Sequence, residues 1–138
     1  MQWDDTKYAG FSSEDGKEPW IGVNENHTKI NAGDQLKDED SIFRYYQKLI
    51  AMRKELDVIA YGDIEPLAQQ DASVFAYRRT YRDHELIVAA NFYGRRCEWK
   101  DAPDLDGYER VLGNYADTDM PENGVLMLEP YEAVVWYR

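Results

Sequence analysis

The hydrophobic pattern divides the chain into three stretches, and the first has no regular period. Up to about residue 38, polar residues and glycines dominate, and large apolar residues such as Trp3, Phe11 and Trp20 stand singly. This pattern is typical of loops, although about forty residues without regular structure are uncommon inside a compact domain. We therefore predict a loop over residues 1–38 whose aromatic side chains pack on a neighbour that this chain does not contain.

The second stretch repeats apolar residues every three to four positions, which predicts an amphipathic helix over about residues 39–56. Its apolar positions are Ile42, Phe43, Tyr45, Tyr46, Leu49, Ile50 and Met52. Asp38 is the predicted N-cap, and the helix dipole favours Glu39 and Asp40 in the first turn. An apolar face of this width favours burial against more than one neighbouring element.

The third stretch, from residue 59 onward, carries short runs of alternating apolar and polar residues separated by Gly and Pro, which predicts β-strands. The predicted strands are residues 60–67, 73–81, 85–92, 97–100, 108–115, 125–128 and 133–137. The polar turn at residues 82–84 predicts a hairpin between the second and third of them. Short strands at this spacing suggest an antiparallel sandwich, so the predicted fold class is mainly β.

Composition narrows the classes of partner. The chain has 138 residues, of which 43% are hydrophobic and 14% aromatic, and this argues against a disordered protein. The formal net charge of −11 disfavours a surface that follows nucleic-acid phosphates, so no nucleic-acid partner is expected. No apolar stretch approaches the roughly 20 residues that cross a bilayer, so no membrane partner is expected either.

The cysteine content and the N-terminal sequence bear on location. A lone cysteine, Cys97, cannot form an internal disulfide bond. The sequence does not open with a basic segment followed by an apolar one, so no secretory signal is predicted. Asn26-His27-Thr28 matches the N-glycosylation pattern, but the motif is short, and a solvated loop is the favoured interpretation. We predict a cytoplasmic protein.

Metal and phosphate sites find little support in the sequence. His27 and His84 each stand alone, without the spacing of zinc ligands, and His84 is interpreted as a solvated turn residue. The acidic run at residues 101–107 fails the calcium-loop pattern at both ends, because Ala102 and Gly113 fall at its first and last ligand positions. No glycine-rich phosphate loop is present. We predict neither a metal nor a cofactor.

Glycoside hydrolysis needs two carboxylates that flank the bond to be cleaved. Glu129 and Glu132 bracket Pro130, as expected of a solvent-facing connection between strands. Asp4 and Asp5 follow Trp3, a pairing seen in sugar sites but also common without function. From the residues alone, the chain is an acidic domain of loop, helix and β-sandwich.

Sandwich aromatics leave open a second class of function, a carbohydrate-binding module. The candidate residues for stacking on sugar rings are Trp99, Tyr108, Tyr115 and Trp136. Aromatic residues at alternating strand positions are more often core residues or cross-strand pairs, and this interpretation is favoured here.

Four blocks of sequence resemble a known family. They are Met1-Gln2-Trp3-Asp4 with Ala9-Gly10-Phe11-Ser12, Pro19-Trp20-Ile21 and Asn24, then residues 41–50 with 52–54, then 75–81 with 90–92, and finally 128–133. In this order they resemble the C-terminal region of α-glucosidases of glycoside hydrolase family 13, of the oligo-1,6-glucosidase, dextran glucosidase and trehalose-6-phosphate hydrolase types. The similarity runs through nearly the whole chain.

The resemblance implies an architecture and a role. Residues 1–58 would be the last segment of a (β/α)₈ catalytic barrel, with the helix at 39–56 closing it, and residues 59–138 would be the C-terminal β-sandwich domain. The absent barrel of the same polypeptide would be the partner of this chain. Gln2, Trp3 and Asp4 would lie at the rim of the active site.

The resemblance also implies an activity for the parent protein, which is retaining hydrolysis of short isomalto- or malto-oligosaccharides. The family uses an aspartate nucleophile, a glutamate acid/base and a second aspartate, all upstream of anything that resembles Met1. No catalytic residue is therefore assigned in this chain, which is expected to be structural and inactive alone. A trehalose-6-phosphate hydrolase or a sucrose or trehalose isomerase as parent stays open.

Overall fold

A computed structural model describes all 138 residues, which form two compact units, Met1–Ala51 and Met52–Arg138. The helices are a 3₁₀-helix at Glu25–Thr28, α1 at Ala32–Gln35, α2 at Ile42–Glu55 and α3 at Asp57–Tyr61. The strands are β1 at Asp63–Pro66, β2 at Val74–Tyr81, β3 at His84–Asn91, β4 at Cys97–Lys100, β5 at Glu109–Gly113, β6 at Val125–Leu128 and β7 at Ala133–Tyr137. No helix combines the length and the apolar character needed to cross a membrane.

Helix α2 begins three residues later than predicted, because Ser41 rather than Asp38 caps it. The Ser41 Oγ accepts a hydrogen bond from the Arg44 N–H at 3.2 Å and donates one to the Gln35 carbonyl at 2.7 Å. The Asp38 carboxyl group instead accepts from the Asp40 N–H at 3.0 Å, which closes a turn before the helix. The prediction of Asp38 as N-cap was therefore wrong.

Helix α2 has no buried residue along its 14 positions. The predicted apolar face is present, but Ile42 is 73% exposed, and Tyr46, Leu49 and Ile50 are exposed as well. These four residues follow the three- and four-residue spacing of one helix face. We call them the α2 stripe. Apolar side chains in this arrangement are normally buried in a folded protein.

The second unit confirms the predicted mainly β class. A five-stranded antiparallel sheet has the order β1-β2-β3-β7-β5, and β4 pairs antiparallel with β6 in a second sheet. Strands β4, β6 and β7 have the predicted bounds. Strand β2 begins one residue later than predicted, and β3 begins and ends one residue earlier. Alternation was a reliable guide to β4 and β6, in which burial changes at every residue.

The core of the second unit lies between the two sheets and is built around two tryptophans. Trp99 of β4 and Trp136 of β7 are each 1% exposed. They share one cluster with aliphatic residues from both sheets and from the segment before β5: Val74, Ala76, Ile87, Ala89, Leu105, Leu126, Leu128 and Val134. Burial of two indoles and these aliphatic side chains is the main stabilising term of the unit.

The predicted strand at 60–67 was wrong in its first half, because Ala60 and Tyr61 belong to α3. Tertiary contacts hold this single turn: the Arg79 guanidinium donates to the Val58 carbonyl at 3.0 Å and to the Gly62 carbonyl at 2.6 Å. The Val58 carbonyl, in the first turn of α3, also accepts the Gly62 N–H at 3.1 Å, and Gly62 is the residue that ends the helix, so Arg79 binds both ends of this turn.

The predicted hairpin joins β2 and β3 through a shorter turn. The turn consists of Arg82 and Asp83, and Arg82 has a left-handed φ of 55°. His84 is therefore the first residue of β3, opposite Tyr81, and not a turn residue. Its imidazole is exposed and stacks on Tyr137, with ring centroids 5.6 Å apart.

Candidate functional site

The segment that carries the predicted rim residues is held by backbone hydrogen bonds on both sides. The Trp3 N–H donates to the Ala9 carbonyl at 2.9 Å. At the start of α1, the Ala32 N–H donates to the Gln2 carbonyl and the Gly33 N–H to the Trp3 carbonyl, both at 2.9 Å. The structure thus fixes residues 2 and 3 between a turn and the first residues of α1.

Asp4 is engaged in a local turn. Its Oδ1 accepts from the Thr6 N–H at 3.0 Å and from the Thr6 hydroxyl at 2.6 Å. Side chains of Asp favour turns because they bond backbone groups two residues on. The predicted rim residue Asp4 therefore has a structural use in this unit, whatever its contact with substrate.

The conformation of Gly10 explains why a glycine occurs in the Ala9-Gly10-Phe11-Ser12 block. Its φ is +74°, and a Cβ placed there would lie 2.7 Å from the Trp3 Cβ. Ala9, which precedes it, is fully buried and also has a positive φ, of 51°. The glycine lets the turn approach Trp3 closely, and the Trp3 ring meets the edge of Phe11 at a centroid distance of 6.5 Å. The indole is nevertheless 56% exposed.

Asn31 is a residue that the sequence analysis missed. It is 2% exposed and caps α1, because its Oδ1 accepts from the Asp34 N–H at 2.9 Å. Its amide donates to the His27 carbonyl at 3.0 Å and to the Asp34 carboxylate at 2.9 Å. The hydrogen bond from the Asn31 amide, and after it the one from Lys37, lowers the pKa of the Asp34 carboxyl. An Asn three residues before an acid is a known capping signal that could have revealed it.

Glu129 and Glu132, on either side of Pro130, differ in burial and in hydrogen-bond partners. Glu132 is 1% exposed, so its interpretation as solvent-facing was wrong. Its carboxyl group accepts from the Glu129 N–H and from the Thr118 hydroxyl, each at 2.7 Å. Glu129 pairs instead with the Arg96 guanidinium at 2.7 Å. Both oxygens of Glu132 therefore have a hydrogen-bond partner within the second unit.

Of the four aromatic residues proposed for a carbohydrate-binding module, the two tryptophans are buried, Tyr108 is half-buried and Tyr115 is 37% exposed. Trp99 and Trp136 are core residues with 1% exposure. The Tyr115 hydroxyl donates to the Pro130 carbonyl at 2.8 Å, and the Tyr108 hydroxyl donates to the Glu85 carboxylate. Neither the Trp99 nor the Trp136 indole can stack on a sugar ring without unfolding the unit.

A charged cluster surrounds Tyr108 at the edge of the sandwich. The hydrogen bond from Tyr108, and after it the bond from Arg138, lowers the pKa of the Glu85 carboxyl. Burial, and then the bond to Glu85, raises the pKa of Tyr108 to about 12. Arg138 lies over the Tyr108 ring at 4.5 Å and donates to Glu85 at 3.0 Å. The cluster ties the last residue of the chain to the start of β3.

The structure brings no three His, Cys, Asp or Glu side chains together in a way that could hold a metal ion. His27 lies in the 3₁₀-helix, where its Nδ1 is 2.9 Å from the Asn24 carbonyl oxygen. The acidic run at 101–107 forms turns, with the Asp104 carboxyl group accepting from the Asp106 N–H at 3.0 Å. Each of these groups has a local structural partner.

Known proteins resemble this chain over nearly its whole length. The family model described as "Alpha amylase, catalytic domain" matches residues 1–62. The oligo-1,6-glucosidase of Halalkalibacterium halodurans is 41% identical over 138 residues, which is 99% of this chain and 24% of that protein. The chain belongs to glycoside hydrolase family 13. The resemblance found in the sequence blocks is thereby confirmed.

Solved structures of the same family share the fold of this family 13 chain. Trehalose-6-phosphate hydrolase of Bacillus licheniformis matches 99% of the chain with a TM-score of 0.84 and 38% identity, over 25% of its own length. Trehalulose synthase of Pseudomonas mesoacidophila matches 99% with a TM-score of 0.84 and 28% identity, over 24% of its length. The chain therefore spans about a quarter of the length of the relatives it matches.

The candidate site residues of this family 13 chain fall into two groups, inside and outside the part that matches the catalytic domain. Gln2, Trp3 and Asp4, the α2 stripe and α3 all lie within residues 1–62, the part that matches a catalytic domain. Glu132, Tyr108 and the two buried tryptophans lie outside it. The residues with exposed aromatic or apolar surface in the first unit are thus those that the catalytic-domain match includes.

Proposed function

We propose that this chain is the C-terminal part of an α-glucosidase that hydrolyses short α-glucosides, isomalto- or malto-oligosaccharides, with retention of configuration. The observation that carries the proposal is one of coverage: 99% of the chain aligns with an oligo-1,6-glucosidase, but over 24% of that enzyme's length. The remaining three quarters of such a protein would supply the catalytic carboxylates.

Within the parent, residues 1–58 complete the catalytic barrel and residues 59–138 form the C-terminal sandwich domain. The α2 stripe supports this division. Ile42, Tyr46, Leu49 and Ile50 are exposed here, and a helix that closes a barrel buries such a face against neighbouring helices and strands. The barrel of the same polypeptide is the partner that would cover them.

Gln2, Trp3 and Asp4 contribute to the rim of the active site in this proposal. The exposed indole of Trp3 offers an apolar ring face of the kind that sugars stack on. The hydrogen bonds from Ala9, Ala32 and Gly33 fix the backbone of this segment. The rim residues bind substrate and do no chemistry.

Alone, the chain is structural and inactive, because the retaining route needs a nucleophile and an acid/base that it does not contain. A cytoplasmic location is part of the proposal. It is supported by the single cysteine, Cys97, which is buried and unpaired and therefore makes no use of an oxidising compartment.

The test is product analysis of the polypeptide encoded by the complete gene. Purified protein is given isomaltose, maltose and trehalose 6-phosphate in separate reactions, and the released glucose is followed by proton NMR before mutarotation. We expect the α-anomer to appear first from at least one substrate. Release of the β-anomer, or absence of hydrolysis of all three, contradicts the proposal.

A second candidate is a sucrose isomerase, which the similarity to trehalulose synthase favours. Sucrose is therefore included as a fourth substrate in the same experiment. Formation of an isomeric disaccharide in excess of free glucose and fructose would select the isomerase over the hydrolase.

A further inference from the structure

The first two N–H groups of α1 hold the segment that carries the rim residues. The Ala32 N–H donates to the Gln2 carbonyl and the Gly33 N–H to the Trp3 carbonyl, both at 2.9 Å. N–H groups in the first turn of a helix have no acceptor within the helix, so the two carbonyls of the rim segment supply the acceptors that these groups need. The position of residues 2 and 3 therefore depends on how α1 begins.

The start of α1 is set by Asn31. Its Oδ1 accepts from the Asp34 N–H at 2.9 Å, and its amide group donates to the Asp34 carboxylate at 2.9 Å and to the His27 carbonyl at 3.0 Å. The residue is 2% exposed, and each of these bonds is made within residues 27–34. Asn31 therefore fixes the first turn of α1 and ties it to the 3₁₀-helix that contains His27.

Gly33 allows α1 to approach the rim segment closely. A Cβ added at Gly33 would lie 3.3 Å from the Trp3 carbonyl oxygen and 3.3 Å from the Asn31 Oδ1. Both distances are shorter than an ordinary carbon–oxygen van der Waals contact, so a side chain here would push the rim segment or the capping group away. Glycine suits positions where a backbone must come this close to another group. Asn31 and Gly33 thus support the same hydrogen bonds, one by ordering the turn and the other by leaving room.

The Trp3 indole depends on this backbone for its orientation. It is 56% exposed, and its aromatic contact is the edge of Phe11, at a centroid distance of 6.5 Å. A mostly exposed ring has few packing contacts to hold it, whereas the Trp3 N–H and carbonyl are both bonded, to Ala9 and to Gly33. A binding group that is held in place before its ligand arrives loses less freedom on binding, and this raises the affinity.

We infer that Asn31 is a positioning residue for substrate binding: through α1, it holds Trp3 in the orientation that receives the sugar ring. The inference rests on the proposed function, in which Gln2, Trp3 and Asp4 form the rim of the active site. Asn31 itself is too deeply buried to touch the substrate. Its effect is therefore on binding, and KM is the quantity that should respond.

The test measures kcat and KM of the full-length polypeptide on the α-glucoside that it hydrolyses best, as wild type and with Asn31→Ala. Loss of a typical N-cap changes the local folding equilibrium about fivefold, so we expect KM to rise about fivefold. The value of kcat should stay within about twofold of wild type, because the loss of binding shared by the ground state and the transition state raises KM alone.

Asn91→Ala is the matched control. Asn91 is also 2% exposed, its Oδ1 accepts from the Tyr93 N–H at 2.9 Å, and its amide group donates to the carbonyls of Arg95 and Glu129 at 2.7 and 2.8 Å. The two variants thus remove the same side chain with the same number of hydrogen bonds, and both should lower the melting temperature. Asn91 lies in the second unit, so its variant should leave KM unchanged.

Two further variants decide the question if Asn31→Ala does not fold. Asn31→Ser keeps an oxygen that caps helices as well as Asn does, so KM should stay within about twofold of wild type. Gly33→Ala keeps Asn31 but places a methyl group 3.3 Å from the Trp3 carbonyl oxygen, so KM should rise as it does in Asn31→Ala.

Unchanged KM in either Asn31→Ala or Gly33→Ala would overturn the inference. So would an equal rise in KM for Asn91→Ala, since a general loss of stability would then be the cause, and so would a fall in kcat at constant KM. Each of these results in an active polypeptide leaves the proposed function intact. A wild-type full-length polypeptide that hydrolyses no α-glucoside refutes the proposed function and, with it, this inference.

Discussion

Replacement of Glu132 by alanine should destabilise the second unit strongly. The Glu132 carboxyl group is 1% exposed and accepts hydrogen bonds from the Glu129 N–H and the Thr118 hydroxyl, each at 2.7 Å. Its own carbonyl accepts from the Asn91 N–H at 2.8 Å, which ties the turn before β7 to the end of β3. Removal of the side chain leaves the partly buried Glu129 N–H without this partner.

The magnitude follows from these contacts. Hydrogen bonds to a carboxylate contribute about 1.5–3 kcal/mol each, and an unpaired buried donor costs about 1–3 kcal/mol. Since the Thr118 hydroxyl can turn toward water, we expect a loss of about 3 kcal/mol in the free energy of unfolding. For a unit of this size each kcal/mol lowers the melting temperature by about 4–8 °C, so the decrease should exceed about 10 °C.

Glu129→Ala is the matched control, because it removes the same side chain three residues away. The Glu129 carboxylate is 36% exposed and pairs with Arg96, and surface ion pairs contribute about 0–1 kcal/mol. Urea unfolding followed by tryptophan fluorescence measures both variants, and Glu132→Gln, which keeps one acceptor oxygen, should fall between them. A loss below about 1 kcal/mol for Glu132→Ala, or equal losses for the two alanine variants, would refute the role assigned to Glu132.

The remaining predictions concern a turn, a tyrosine and the core. Gly10→Ala places a methyl group 2.7 Å from the Trp3 Cβ, so the Trp3 amide should lose hydrogen-exchange protection; unchanged exchange would contradict the close approach. Because the folded-state pKa of Tyr108 is raised to about 12, its stabilising effect is fully present below the ordinary tyrosine value near 10 and is lost as the pH rises through 12. Tyr108→Phe should remove that alkaline slope in unfolding free energy, and a persistent slope would assign it elsewhere. Trp99→Ala should lower the free energy of unfolding by about 3–5 kcal/mol. Calorimetric titration of the wild-type chain with maltose should show no binding at the sandwich indoles. Saturable binding heat in the wild-type chain that disappears in the Trp99→Ala variant would instead support a carbohydrate-binding module.

Strand positions could be predicted well from the sequence, because short apolar runs are bounded by Gly, Pro and polar residues. In β4 and β6 burial also alternates at every residue, so the period of two is visible. Val125–Leu128 and Ala133–Tyr137 have the predicted bounds. The short helix α3 could not be predicted, since Val58 and Ile59 are β-branched and favour strands locally. Its carbonyls are bound by Arg79, about twenty residues further along the chain, and this contact decides the local structure.

The features of the candidate site were predictable only in part. The segment from Gln2 to Asp4 was found through its motif, and Gly10 now has a steric reason. Burial of Glu132 was not predictable, because its partner Thr118 lies 14 residues earlier in an irregular segment. A glutamate two residues after a proline in a turn is normally solvated, and only the tertiary arrangement reverses that expectation for Glu132.

Turnover of a chromogenic α-glucoside by the purified 138-residue chain tests the central claim most directly. The chain belongs to a family of glycosidases, yet its proposed role is structural and includes no catalytic carboxylate. We expect no product above that of an identically purified empty-vector control, while the full-length polypeptide hydrolyses the substrate under the same conditions. Product release that co-elutes with the chain through two chromatographic steps would contradict the account.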